Sequence, residues 1–107
     1  MNGINEFISE LVRAANQVDK LGDFEKKRLL DRSVATIREM RRAIGIPSSG
    51  TTHDEVIDLQ TVAAKVGAIA LTSSDVRSSL LNAAGMIRDL HIIIDTNVDI
   101  VLGNMGR

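Results

Sequence analysis

The chain has no cysteine, no tryptophan and no tyrosine, and its 107 residues include only two phenylalanines and one proline. Each absence removes a class of function. Without cysteine there is no disulfide, no thiolate nucleophile and no cysteine-ligated zinc, and the composition suits a reducing, cytoplasmic setting. Two aromatic rings cannot build the stacking platforms on which single-stranded nucleic acids lie. Nor can they form a cage for quaternary ammonium groups. A net charge of −1 gives no overall field to gather DNA or anionic lipid. The first residues carry no basic stretch followed by an apolar one, so no secretory signal is expected. No run stays apolar and uncharged for the ~18 residues that a membrane span needs. Lys65 interrupts the nearest candidate, and no membrane partner is expected. No serine stands in a Gly-x-Ser-x-Gly setting and no Gly-rich phosphate loop is present, so no cofactor is implied.

What the chain does have is aliphatic residues at helical spacing. Apolar residues make up 44% and charged residues 25%, the proportions of one soluble globular domain spanning 1–107. Over residues 74–102 the apolar positions are Val76, Leu80, Ala83, Ala84, Ile87, Leu90, Ile94, Val98 and Val101. Steps of three and four predict one long helix with a continuous stripe. Leu81, Met86, Ile92 and Ile93 lie off that stripe, so the helix is apolar on more faces than one layer covers. The run from His91 to Val101 is rich in β-branched residues. Two short strands turning at Thr96-Asn97 are the alternative there, and residues 95–97 are where the helix would break.

Three earlier helices are expected. The first covers residues 4–20, with Ile4, Phe7, Ile8, Leu11, Ala14, Ala15 and Val18 on one side and Gly22 as a left-handed end. The second covers 24–44, capped by Asp23, with a stripe of Leu29, Leu30, Val34, Ile37, Met40 and Ile44. Arg41 and Arg42 in its last turn, Gly45 as cap and Pro47 beyond make its end the best-marked boundary in the chain. The third covers residues 52–71. It opens on a Thr52-x-x-Glu55 capping box and buries Val56, Leu59, Val62, Ala63, Val66 and Ile69. Ala63, Gly67 and Ala70 offer a side where a neighbour could come close. A serine in the stretch 72–74 caps the last helix, and Gly103 closes it. The fold expected is all-α: an antiparallel four-helix bundle of two helical hairpins.

Charge is uneven. Residues 24–45 hold seven basic side chains against three acidic, and residues 53–102 hold three against seven. Local pairs three or four apart account for much of the basic run: Glu25 with Arg28, Asp31 with Lys27 or Arg28, and Glu39 with Arg42. Attraction between the two halves is a second account.

The segment from Thr61 to Asn82 resembles a helix-turn-helix in two features. Ala63 and Gly67 have the small-residue spacing of such motifs, and Arg77, Ser78 and Asn82 are side chains that reach base edges. The stretch between Gly67 and Val76 is about three residues too long for the tight turn, and the half-chain around it is acidic. A DNA-associated regulator using Lys27, Arg38, Arg41, Arg42, Arg77 and Asn82 is therefore the second functional expectation.

Glu55-x-x-Asp58 is similar to a helix carboxylate pair of all-α nucleotide pyrophosphohydrolases, whose Mg²⁺ needs a second acidic pair. Asp95 and Asp99 form the only late one, so a nucleotide hydrolase stands third. His53 is expected at an exposed helix start. His91 is expected half-buried, with Asp95 as its only same-face helper for a metal. The first expectation is a non-catalytic interaction or assembly module, a homodimer or a binder of another protein. Its candidate interface residues are Leu81, Met86, Ile92 and Ile93.

Overall fold

In the computed structural model, residues 2–45, 55–67 and 71–105 are described, with side chains for 3–45, 56–67 and 71–95. Four α-helices cover nearly all of them: α1 (Asn2–Asn16), α2 (Asp23–Ile44), α3 (Glu55–Lys65) and α4 (Ser73–Met105). A short 3-10 turn, Val18–Lys20, follows α1. The elongated molecule, 58 Å in its longest dimension, takes its length from α4, which spans about 50 Å at 1.5 Å per residue.

Contacts fix the helix directions. Arg77, at the start of α4, donates from Nε to the carbonyl of Ala15 near the end of α1 (3.2 Å), so α1 and α4 run antiparallel. Glu10 of α1 meets Arg28 and Arg32 of α2. A Cβ built on Gly67, just past α3, would stand 3.5 Å from the carboxylate of Asp23 at the start of α2. The helices therefore alternate in direction, as expected for two hairpins. α4 packs most extensively on α1 and α2 and less on α3. α2 and α4 run the same way yet touch directly, across the short diagonal of the bundle.

The core follows the apolar stripes. Phe7, Leu11, Ala14, Ala15 and Val18 of the first hairpin's opening arm are buried, as are Leu29, Leu30, Val34, Ile37 and Met40 of α2. Val56, Leu59 and Ala63 of α3 join them, with Val76, Leu80, Ala83, Ala84, Ile87 and Leu90 of α4. Ser33 is the one polar residue at zero exposure among those described. Its hydroxyl donates to the Leu29 carbonyl one turn back (2.8 Å), which satisfies it inside the core.

Several helix ends differ from expectation. α1 stops at Asn16, and the chain turns through the 3-10 segment and an extended Leu21 (φ −89°, ψ 139°). Gly22 therefore has no left-handed conformation to adopt; at φ −77°, ψ 164° it is the N-cap of α2, and Asp23 is the first helical residue. Gly45 does take the left-handed cap (φ 88°), its backbone N–H donating to the Arg41 and Arg42 carbonyls. α3 ends at Lys65, earlier than expected, because Gly67 adopts φ 93°. That glycine serves to turn the chain rather than to admit a neighbour. α4 is continuous through residues 95–97 and past Gly103. The expected capping box at Thr52, the loop before it and His53 lie outside the described residues.

The cap of α4 is Thr72, not a serine. The Asp75 N–H donates to the Thr72 hydroxyl (3.1 Å), and the Thr72 N–H donates to the Asp75 carboxylate (3.0 Å). This is a reciprocal capping box. The Thr72 backbone N–H, helped by its hydroxyl, holds the Asp75 carboxyl below the usual carboxylate range. A folded pKa below the unfolded one stabilises above the unfolded value, about 3.9, and that contribution is lost as pH falls through the folded value. Thr72→Ala should cost about 1 kcal/mol near neutral pH. Asp75→Asn should show a shallower loss of stability than the parent between about pH 4 and pH 2. Urea midpoints across that interval measure both.

Candidate functional site

Three helices cover α4 on one side only. At about 100° per residue, its buried positions lie within roughly one-half of the helix circumference. On the opposite half, Leu81, Gly85, Arg88 and Ile92 follow one another at steps of four, three and four, a single line along the surface. Leu81 is 42% exposed and Ile92 54%. Ile93 (40%) lies about 120° around from Leu81 and shares a second line with Met86, which is half-buried against the core. The four candidate interface residues thus divide into two pairs, and only Leu81 and Ile92 share the open face.

α1 extends that face. Glu10 marks the flank of α1 that meets α2. Val12 lies on the other flank, beside α4, and is 38% exposed. It was legible in the sequence as an apolar residue off the first stripe, as Gly85 was as a glycine inside a helical pattern. Neither was singled out, because each is unremarkable until its neighbours are placed.

The basic residues of α2 are largely spoken for. Arg28 bonds both Glu25, three residues back, and Glu10 across the hairpin (3.5 Å). Arg32 reaches the other Glu10 oxygen (3.4 Å) and stands 4.2 Å over the ring of Phe7. Lys27 pairs with Asp31 (3.4 Å), and Lys26 lies 4.0 Å from Asp23. The Arg28 hydrogen bond holds the Glu25 carboxyl below its ordinary range, and Glu25 in turn raises the Arg28 guanidinium. Glu10 is the member that sequence spacing could not find, being 18 and 22 residues from its partners.

The six candidate nucleic-acid residues do not form one patch. Lys27 and Arg38 border a groove of about 370 Å³ between α2 and α3, with Asp31 and Gln60. Arg41 and Arg42 sit at the far end of α2. Arg77 is bound to the end of α1, and Asn82, five residues on, points about 140° away from it. Arg77 and Asn82 cannot enter one DNA groove together.

His91 is half-buried on the flank of α4, its Nε2 3.5 Å from the Asp95 carboxylate. Its Nδ1 is buried without a hydrogen-bond partner among the described residues. Among those residues no three His, Asp or Glu side chains converge on a point where a metal would sit, and no helix is long and apolar enough to cross a membrane. The Glu55 and Asp99 side chains lie outside the described set. Comparison of the chain with protein-family models, with curated proteins and with solved structures gives no match.

Proposed function

We propose that the protein is a small non-catalytic assembly module that associates with itself through the open face of α4. What carries the reading is the alignment of Leu81 and Ile92, both about half exposed, on one helix line with Val12 beside it. Isolated exposed apolar residues are ordinary on any protein surface. A row of them on the longest and most central helix is a surface shaped to be covered. The basic helix supports no comparable reading, because Glu10, Glu25 and Asp31 pair with Lys27, Arg28 and Arg32, and the remaining candidate residues lie apart from one another. Sedimentation velocity between about 1 µM and several hundred µM should show a monomer converting to a dimer, the range expected of a modest interface. Ile92→Glu should abolish the dimer while the melting temperature of the dilute protein stays within a few degrees of the parent. Retention on duplex DNA that weakens steeply with salt, together with a monomer at every concentration, would overturn the reading.

A further inference from the structure

We infer that two copies pair through α4 in antiparallel order, crossing near Gly85, with Arg77 of each subunit against the partner's Asp95. This rests on the self-association proposed above and specifies its geometry.

The first observation is Gly85. Glycine inside a helix costs roughly 1 kcal/mol relative to alanine. Gly85 is not among the glycines with positive φ, and a Cβ added there would meet nothing within 4 Å. Nothing within the subunit requires a glycine. A second helix backbone passing over this point does, since it can approach closely only where no side chain intervenes.

The second observation is the order of residues along the face: Arg77, Leu81, Gly85, Arg88, Ile92, Asp95. Arg77 lies nine residues before position 86, and Asp95 nine after it. Leu81 and Ile92 lie five before and six after. An antiparallel copy centred there sets Arg77 against the partner's Asp95 and Leu81 against the partner's Ile92, and the two-fold axis repeats both contacts. Arg77 and Asp95 are 18 residues apart, five turns of 3.6, so they share one side of the helix. The two-fold axis keeps that side in register between the copies. Both are exposed: Arg77 uses its Nε on the Ala15 carbonyl, which leaves its terminal nitrogens outermost, and Asp95 stands 3.5 Å from His91 with its side chain 67% exposed. A parallel copy would set Arg77 on Arg77 and Asp95 on Asp95, which repel. At the crossing itself Arg88 pairs with Asp89 of its own chain (3.3 Å), leaving no net charge there.

The contact between Arg77 and Asp95 spans about 27 Å of helix. One helix pair of that length buries less than the ~800 Å² per partner of a standard interface, so a micromolar dimer is the expected strength.

Charge exchange tests the order. Arg77→Asp and Asp95→Arg should each weaken the homodimer about tenfold, since two attractive pairs become two repulsive ones. Mixed one to one, the two variants should form a heterodimer close to wild-type affinity, because one pair is the original Arg77 with Asp95 and the other is rebuilt with its signs exchanged. Gly85→Leu should weaken the dimer at least about tenfold while raising the melting temperature of the dilute protein. Circular dichroism checks that each variant is folded. A charge-independent check uses the cysteine-free background: Arg77→Cys mixed with Asp95→Cys should cross-link through a short bismaleimide, and neither variant should cross-link to itself. A wild-type protein that stays monomeric overturns the self-association and this geometry with it. A dimer that Ile92→Glu breaks, but whose charge variants do not complement and whose cysteine variants cross-link to themselves, overturns the antiparallel order alone.

Discussion

Phe7→Ala should lower the unfolding free energy by roughly 3–5 kcal/mol, and Phe24→Ala should leave it within about 0.5 kcal/mol. These are the only aromatic residues in the chain, and the bundle uses them in opposite ways. Phe7 is 2% exposed inside the core, and Phe24 is 81% exposed at the start of α2. Removing the Phe7 ring leaves a cavity between helices and takes away the surface over which Arg32 lies. Arg32 and Arg28 then reach α1 only by their pairs to Glu10 among the described contacts, with side chains about half exposed, and such pairs are worth little by themselves in water. For a domain of this size, stabilities run about 5–15 kcal/mol, so the loss would be roughly a fifth of the total or more. At about 4–8 °C per kcal/mol, the melting temperature should fall by well over 10 °C. Equal effects from the two phenylalanines in urea titration would mean that the packing of α1 is wrong.

That contrast shows where the sequence was legible. Phe7 sits on a three-and-four stripe with Leu11, Ala14, Ala15 and Val18, and Phe24 falls outside the α2 stripe; periodicity alone separates them. The same rule found the buried face of α4 from Val76 to Leu90; Ile94 is half-buried, and the side chains of Val98 and Val101 lie outside the described residues. Helix ends were read less well, because a glycine permits a left-handed conformation without requiring one. Gly45 takes it, Gly22 leaves it unused because Leu21 turns the chain in extended form, and Gly67 uses it two residues after α3 ends. Thr72 outcompetes the serines as cap because Asp75 stands three residues on and can return the bond. The open face of α4 was half legible. Leu81 and Ile92 stood out as apolar residues off the stripe, but Met86 did so too, and only the packed helices show that Met86 turns toward the core. The Glu10 clamp was invisible, since it depends on the angle at which two helices meet.

The strongest separation of folding from assembly should come from two isoleucines five residues apart on α4. Ile87 is fully buried, and Ile92 is 54% exposed. Ile87→Ala removes methyl and methylene groups at a point where α4 packs on its neighbours, and the cavity left there should cost about 2–5 kcal/mol. Ile92→Ala removes the same atoms from a surface that is already half in water, and should change the stability of the dilute monomer by no more than about 0.5 kcal/mol. Association should respond in the opposite way. In the proposed dimer Ile92 meets the partner's Leu81 on both sides of the two-fold axis, so its truncation would be felt twice per dimer and should weaken dimerisation about tenfold or more. Ile87, buried within the subunit, has no surface to offer a second copy. Any change it makes in the dimer should vanish at temperatures where the variant is still folded. Because a dimer stabilises its folded subunits by mass action, the two quantities must be measured apart: unfolding well below the dissociation constant, and association far below the melting temperature. If Ile92→Ala proved as destabilising as Ile87→Ala in dilute solution, the exposed side of α4 would be part of the subunit core. The face would then have no room for a second copy.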